Sequence, residues 1–209
     1  MTKVSVQRSR AREYFTRLYL DHEDPWNFES SQYEAKKYEA SVRALPRRRY
    51  LNAFEIGCSI GVFTAKLAPR CRKLLSVDLA FSALEKARKR CREYPHVDFE
   101  LMAVPEEYPT GMFDLTVLSE VAVYLEPQDL RTLSKRITEQ TTAGGHLLLV
   151  HCLGEIPDYP LRGDDVHEHF LTLSGWNSVL QSRGDGYRID VLERSNWKSD
   201  HLVKTKTQK

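Results

Sequence analysis

The sequence predicts an α/β fold on a doubly wound, mostly parallel sheet, and three features of its patterning carry that prediction. Short apolar runs of strand length alternate with longer segments whose apolar residues recur at helical spacing. One run, FDLTVLSEV at 113–121, is almost unbroken in hydrophobicity, as a strand covered by helices on both faces requires. The stretch LNAFEIGCSIG at 51–61 passes from apolar residues through an acid into glycines 57 and 61, so a buried strand hands over to a helix through a tight loop.

In chain order, residues 1–48 read as two helical pieces that such a sheet does not need. Arg8 to Leu20 places Tyr14, Phe15, Leu18 and Tyr19 at helical spacing, and Ser31 with Glu34 forms a capping box that opens QYEAKKYEASVRAL. Between them Asp24-Pro25 breaks the helix and leaves Trp26 and Phe28 on a loop, so 1–48 is expected to be a helical lid within one 1–209 domain. The first strand is followed by a helix over Val62 to Arg70, and LLSVD is the second strand. Phe81 to Glu93 puts Ala83, Leu84, Ala87 and Cys91 on one helical face. Val97 to Met102 is a third strand, VPEEYPTG a turn-rich loop and 113–121 the fourth strand. Gln128 to Gln140 is a helix stopped by Gly144-Gly145, and HLLLVHCL is the fifth strand. In the last third, GEIPDYPLRGDDVHEH reads as a polar loop and Phe170 to Gln181 as a helix. YRIDVLER and HLVKTKT then read as a hairpin joined by SNWKSD.

A length of 209 residues suits one α/β domain. With 41% apolar and 29% charged residues and a net charge of +2, the composition is that of a globular protein without a strong field, and nothing in it demands nucleic acid. Cys58, Cys71, Cys91 and Cys152 lack metal-ligand spacing and read as reduced thiols, so no metal is expected. The absence of a membrane-length apolar run and of an apolar signal core predicts a cytoplasmic protein with no membrane span.

The glycine loop holds the chemistry. Gly57 can adopt backbone shapes costly to other residues, and a glycine leaves room for a ligand against the backbone. Glu55 stands where a dinucleotide-binding loop has its first glycine. A carboxylate there repels a pyrophosphate but attracts a cation, which suits S-adenosyl-L-methionine with its ammonium and sulfonium. Asp78 closes the second strand about 20 residues after the turn, where an acid binds ribose hydroxyls.

FEIGCSIGVFTAKLA, LLSVDLAFSALEKAR, FDLTVLSEVAVYL and GGHLLLVH resemble, in order and spacing, the class I S-adenosylmethionine-dependent methyltransferases. Within that class, DPWNFESSQYEAKKYEA, the tetrapeptide Ser119-Glu120-Val121-Ala122 with Tyr124, and WNSVLQSRGDGYRIDVLER resemble the nodulation protein S family over nearly the whole chain. The resemblance implies a Rossmann-like, seven-stranded sheet of order 3-2-1-4-5-7-6 with strand 7 antiparallel. It also implies transfer of a methyl group to the free amine of the deacetylated, non-reducing-end glucosamine of a chitooligosaccharide, with S-adenosyl-L-homocysteine as product. By the same resemblance Glu55, Gly57 and Gly61 border the methionine moiety and Asp78 holds the ribose. Leu79, Met102 and Ala103 flank the adenine, and Cys58 and Ser119 complete the cofactor set. The loop after the third strand departs from the common pattern of an acid meeting the adenine amino group, which leaves that role to backbone groups. Ser119-Glu120-Val121-Ala122 replaces the Asn/Asp-Pro-Pro-aromatic motif of base-modifying enzymes and argues against a nucleic-acid acceptor.

Methylating an amine requires its lone pair free, so a carboxylate or imidazole that takes the proton assists. Glu120 and His151 follow strand ends, where ligands bind in this architecture, and are the catalytic candidates. Trp26, Tyr33, Lys37 and Tyr124 are the candidate acceptor contacts; Tyr33 and Lys37, four apart, share a helix face. Alternatives are a methyltransferase for another small amine or hydroxyl, a nicotinamide-dependent oxidoreductase, and a non-catalytic module on the same fold.

Overall fold

The computed structural model describes residues 3–154 and 159–195. The strands are β1 (Ala53–Ile56), β2 (Leu74–Asp78), β3 (Val97–Leu101), β4 (Phe113–Ser119), β5 (Thr141–Cys152), β6 (Trp176–Arg183) and β7 (Tyr187–Arg194). Their order is β3-β2-β1-β4-β5-β7-β6, with β7 antiparallel to β5, as the family resemblance implies. The chain divides into two compact units, Met1–Pro109 and Thr110–Lys209.

In the first unit, α1 (Lys3–Asp21) and α2 (Gln32–Ala44) precede β1. Ser31 caps α2 by accepting the Glu34 amide at 3.2 Å, the first half of the expected capping box. β1 pairs in parallel with β2 from Ala53↔Leu74 to Ile56↔Val77, and all four β1 residues are buried. The helix expected over 62–70 is α3 (Val62–Leu67) finished by a 3-10 turn at Ala68–Arg70, where Pro69 lacks the amide hydrogen an α-helix would use. α4 (Phe81–Arg90) buries Ala83, Leu84 and Ala87 and is capped by Cys91, itself buried as its helical spacing predicts.

In the second unit, β4 runs parallel to β5, and α5 (Pro127–Gln140) lies between them in sequence. Gly144-Gly145 does not stop α5: the helix ends at Gln140, where the β-branched pair Thr141-Thr142 begins β5. Instead the glycines absorb a register shift, since Phe113 pairs with Thr141 but Leu115 with His146, and Gly144 has φ 72°.

The last third differs most from expectation. The helix is α6 (Gly163–Leu171), which begins in the stretch read as polar loop and overlaps the expected helix only at Phe170 and Leu171, while 176–183 is strand β6 rather than helix. α6 starts where the Asp165 carboxylate accepts the Arg162 amide at 3.0 Å, and its inner face contains a polar residue, His167. The observed hairpin is β6–β7, with Trp176↔Arg194 and Arg183↔Arg188 as its ends; the strand expected at HLVKTKT lies outside the described residues. No described helix is long and apolar enough to cross a membrane.

Candidate active site

At the end of β1 in the first unit, Glu55 is buried to 2% exposure. Its Oε2 accepts two hydroxyls, Thr64 on α3 and Ser76 on β2, each at 2.7 Å. Burial pushes its pKa from 4.5 up to about 7; the two hydroxyls oppose that shift, and the nearby Asp78 charge adds to it. The pocket therefore disfavours a bare carboxylate and gains most from a cation that restores the charge.

The loop after β1 is held open by its backbone. Gly57 and Cys58 both donate to Val77 O, at 2.8 and 2.9 Å, and Gly57 and Gly61 have φ of 77° and 79°. A Cβ on Gly61 would meet the Ala87 Cα at 2.9 Å, so α4 closes against this turn only because residue 61 has no side chain. Ser59 between them also takes a left-handed φ of 52°. Asp78 at the end of β2 accepts the Ser59 amide on Oδ2 at 2.8 Å and the Ala80 amide on Oδ1 at 2.9 Å. Burial raises the Asp78 pKa against the pull of these amides. Each carboxylate oxygen can accept more than one bond, so two hydroxyls of a ribose can still be received.

Leu79 packs half-buried against a cluster of Tyr19, Ile60, Ala80 and Ala83, to which Trp26 and Phe28 also belong. Tyr19 Oη donates to Ser59 Oγ at 2.5 Å, tying α1 to the glycine loop. Met102 and Ala103 are half-buried after β3; the Met102 amide donates to Asp78 O at 3.0 Å and that of Ala103 to Glu107 Oε2 at 2.6 Å. Glu107 also pairs with Arg12 of α1 at 3.0 Å. The buried Cys58 thiol is pushed well up by burial and then by the Asp78 and Glu55 charges, which keeps it a neutral thiol. Buried carboxylates, left-handed glycines and a flanking apolar shelf fit a nucleoside bearing an amino-acid cation. Among the described residues no cluster of three or more His, Cys, Asp or Glu could hold a metal.

The proposed acceptor contacts in this unit are linked to one another through Phe28 and Tyr38, whose rings lie 6.4 Å apart. Trp26 packs against Tyr19 (5.7 Å between ring centroids), Phe28 (5.5 Å) and Phe15 (6.4 Å). Tyr33 is partly exposed, whereas Lys37 is 1% exposed, ion-paired with Glu34 at 2.9 Å and 5.3 Å from the Tyr33 ring centroid. Tyr33 and Lys37 do share a face, but the ammonium is turned into it.

In the second unit, Ser119 is the last residue of β4 and Glu120 follows at φ 56°, an uncommon backbone for a residue with a side chain. The Glu120 amide donates to Val150 O at 2.9 Å, and its Oε2 accepts the Cys152 amide at 3.0 Å. His151, between those two β5 residues, is fully buried, and its Nδ1 lies 3.1 Å from His167 Nε2 on α6. Tyr124, in the 3-10 turn after β4, pairs with Tyr159, hydroxyl to hydroxyl at 2.9 Å with ring centroids 4.5 Å apart. Sequence reasoning missed Thr64, Ser76, Tyr19, His167 and Tyr159. Only the first two carried a signal: hydroxyl residues at otherwise apolar core positions beside a buried acid.

The chain matches the nodulation protein S family over residues 10–151. It is 32% identical over 131 residues to nodulation protein S of Sinorhizobium fredii, an alignment spanning 62% of this chain and 61% of that one. To nodulation protein S of Rhizobium tropici it is 30% identical over 189 residues, spanning 78% and 79%. Among solved structures it superposes on the N-methyltransferase NodS from Bradyrhizobium japonicum WM9 in complex with S-adenosyl-L-homocysteine. The TM-score is 0.78 at 23% identity, covering 91% of this chain and all of that one. The fold is that of the class I methyltransferases.

Proposed function

Because the chain belongs to the nodulation protein S family, we propose that it is an S-adenosylmethionine-dependent N-methyltransferase acting on the free amine of the deacetylated, non-reducing-end glucosamine of a chitooligosaccharide. The observation that carries the cofactor half of this reading is the pairing of two buried acids, Glu55 and Asp78, across a loop of left-handed glycines at the ends of adjacent parallel strands. Glu55, its pKa pushed to about 7 by burial, is stabilised as the carboxylate by the ammonium of the methionine moiety. Asp78 receives the ribose hydroxyls while holding the Ser59 and Ala80 amides. Leu79 and the Met102-Ala103 segment flank the adenine, and the helical segment before β1 acts as a lid on this site, tied to it by the Tyr19–Ser59 bond.

When bound, S-adenosylmethionine supplies a methyl group on a sulfonium, whose carbon–sulfur bond breaks with its electron pair going to sulfur as the amine lone pair forms the nitrogen–carbon bond. Positioning supplies much of the rate of such an in-line displacement. Glu120 takes the amine proton; its carboxylate is aimed by the Cys152 amide and by a backbone fixed in the left-handed region. Tyr124 and its neighbour Tyr159 offer ring faces and hydroxyls of the kind a sugar chain binds.

The test is methyl transfer from labelled S-adenosylmethionine to a chitooligosaccharide with one free amine at its non-reducing end, beside its fully N-acetylated counterpart and a small primary amine. Methylation of the first compound alone is the expected result, because acetylation delocalises the nitrogen lone pair. Equal turnover of the acetylated compound would remove the amine as acceptor, and preference for the small amine would replace the sugar by another amine substrate.

A further inference from the structure

Behind Glu120 in the second unit lies a buried polar chain that the proposed reaction does not itself use. His151 Nδ1 faces His167 Nε2 at 3.1 Å, and His167 Nδ1 lies 2.9 Å from Asp190 Oδ2 on β7. Arg188 Nη2 lies 2.9 Å from the same Oδ2, and its Nε donates to Asp190 Oδ1 at 3.2 Å. His151, His167 and Asp190 are all fully buried and Arg188 nearly so. The contacts to Oδ2 are short ion-pair contacts rather than aligned hydrogen bonds. At 2.9 Å they still hold the His167 ring and the Arg188 guanidinium against the Asp190 carboxylate.

Burying such a chain is costly unless every member is paired, and removing one member leaves the others uncompensated. The fold makes specific room for it. His151 and Arg188 are opposite one another on β5 and β7, and α6 begins at Gly163, where a Cβ would meet Cys152 O at 2.4 Å and the His151 Cβ at 3.0 Å. A helix can start this close to the end of β5, and carry His167 to His151, only with glycine at 163.

The chain acts on the segment that holds Glu120. Val150 accepts the Glu120 amide and Cys152 donates to its carboxylate, so the residue between them sets how both groups are presented. His151 is that residue, and its ring is held by His167. We infer that His167 and Asp190 are positioning residues for Glu120: acting through His151, they hold the Val150–Cys152 segment so that Glu120 keeps its left-handed backbone and its carboxylate direction. Asp190 Oδ2 and His151 Nδ1 face the two ring nitrogens of His167, so that ring is fixed from both sides. Arg188 balances the Asp190 charge, also held by Asp164 and Glu168 at 2.8 Å each. His151 is thereby a support for the reacting group rather than a reacting group.

The inference rests on Glu120 taking part in the proposed amine methylation, and the test separates the two. Asp190→Asn and Glu120→Gln are made singly and together, and kcat for the free-amine chitooligosaccharide, affinity for S-adenosylhomocysteine and melting temperature are measured. Asp190→Asn is expected to lower kcat about 10- to 100-fold through misplacement of Glu120, leave S-adenosylhomocysteine affinity unchanged, and have no further effect once Glu120 is Gln. The same loss in the Glu120→Gln background, or parallel falls in kcat, affinity and melting temperature, would overturn it with the methylation reading intact. An unchanged kcat in Glu120→Gln alone would instead remove Glu120 from the reaction, and the inference with it. Should Asp190→Asn not fold, His167→Gln takes its place with the same outcomes. Nitrogen-15 spectra of the histidine rings give a check independent of turnover: Asp190→Asn is expected to shift the ring signals of both His167 and His151, and a His151 ring unmoved by that substitution would overturn the proposed coupling.

Discussion

The strand ends of the two units handle buried charge in opposite ways. At the β1–β2 end the acids are Glu55 and Asp78, and their partners are hydroxyls and backbone amides that carry no full charge. Burial therefore wins, and both carboxyls are raised. At the β5–β7 end the buried acid Asp190 is met by an arginine and an imidazole. There the Arg188 pKa, which burial alone would lower, is instead raised by its bonds to Glu168, Asp164 and Asp190. The first arrangement leaves an unmet demand for a cation, which suits a place where a charged ligand comes and goes. The second has its counter-charge built in, which suits a permanent support.

The strongest way to break the first arrangement is to fill the glycine turn. Gly61→Val places a β-branched side chain at φ 79° with its Cβ 2.9 Å from the Ala87 backbone. Backbone strain and overpacking together are expected to cost about 3 kcal/mol or more. Loss of S-adenosylhomocysteine binding by calorimetry, with a lowered melting temperature, is the expected result, and a variant that binds normally would place the ligand elsewhere.

The raised Glu55 pKa sharpens the comparison through pH. The folded value, about 7, lies above the ordinary 4.5, so its contribution to stability is fully present below pH 4.5 and is lost as pH rises through 7. The gap corresponds to about 3 kcal/mol. Glu55→Gln does not titrate, so the melting temperature of the wild type relative to that variant should fall between about pH 5 and pH 8. A bound ammonium favours the carboxylate, so wild-type affinity for S-adenosylhomocysteine should rise over the same range, and a flat pH profile would separate Glu55 from the cation. Asp78→Ala comes next: it leaves the Ser59 and Ala80 amides without their acceptor and removes the proposed ribose partner. Affinity should fall by about 1.5–3 kcal/mol, which calorimetry reads as a roughly 10- to 150-fold weaker dissociation constant.

The same contrast explains what the sequence could disclose. The β1–β2 site is written locally: Glu55, Gly57 and Gly61 lie within seven residues, and LLSVD ends on Asp78 as the second strand does. The β5–β7 support is assembled from residues 151, 167, 188 and 190 on three elements, and no local pattern announces it. Its burial of polar residues also hid α6, because a helix whose inner face includes His167 and whose first turn is Asp164-Asp165 has the composition of a loop. β6 was misread for the complementary reason. Only Trp176 of its eight residues is buried, so there is no apolar alternation to distinguish it from a surface helix, and its pairing with β7 decides the conformation.

The smallest expected effect, and the one that bears most on the proposed lid, is at Trp26. As an acceptor contact its ring would face a sugar, but the structure packs it among Phe15, Tyr19 and Phe28 over Ile60, Ala80 and Ala83. Tyr19, which Trp26 meets edge-on, is the residue whose hydroxyl reaches Ser59 on the glycine loop. Removing the indole should therefore loosen the N-terminal segment and the cofactor loop together. Because the ring is only half-buried, Trp26→Ala should cost about 1–2 kcal/mol, less than a fully buried aromatic. Melting temperature and S-adenosylhomocysteine affinity should drop in parallel, with methylation following the affinity. If methylation alone collapsed while both other quantities held, Trp26 would belong to the acceptor site, and the N-terminal segment would be a wall of the substrate groove rather than a clamp on the cofactor loop.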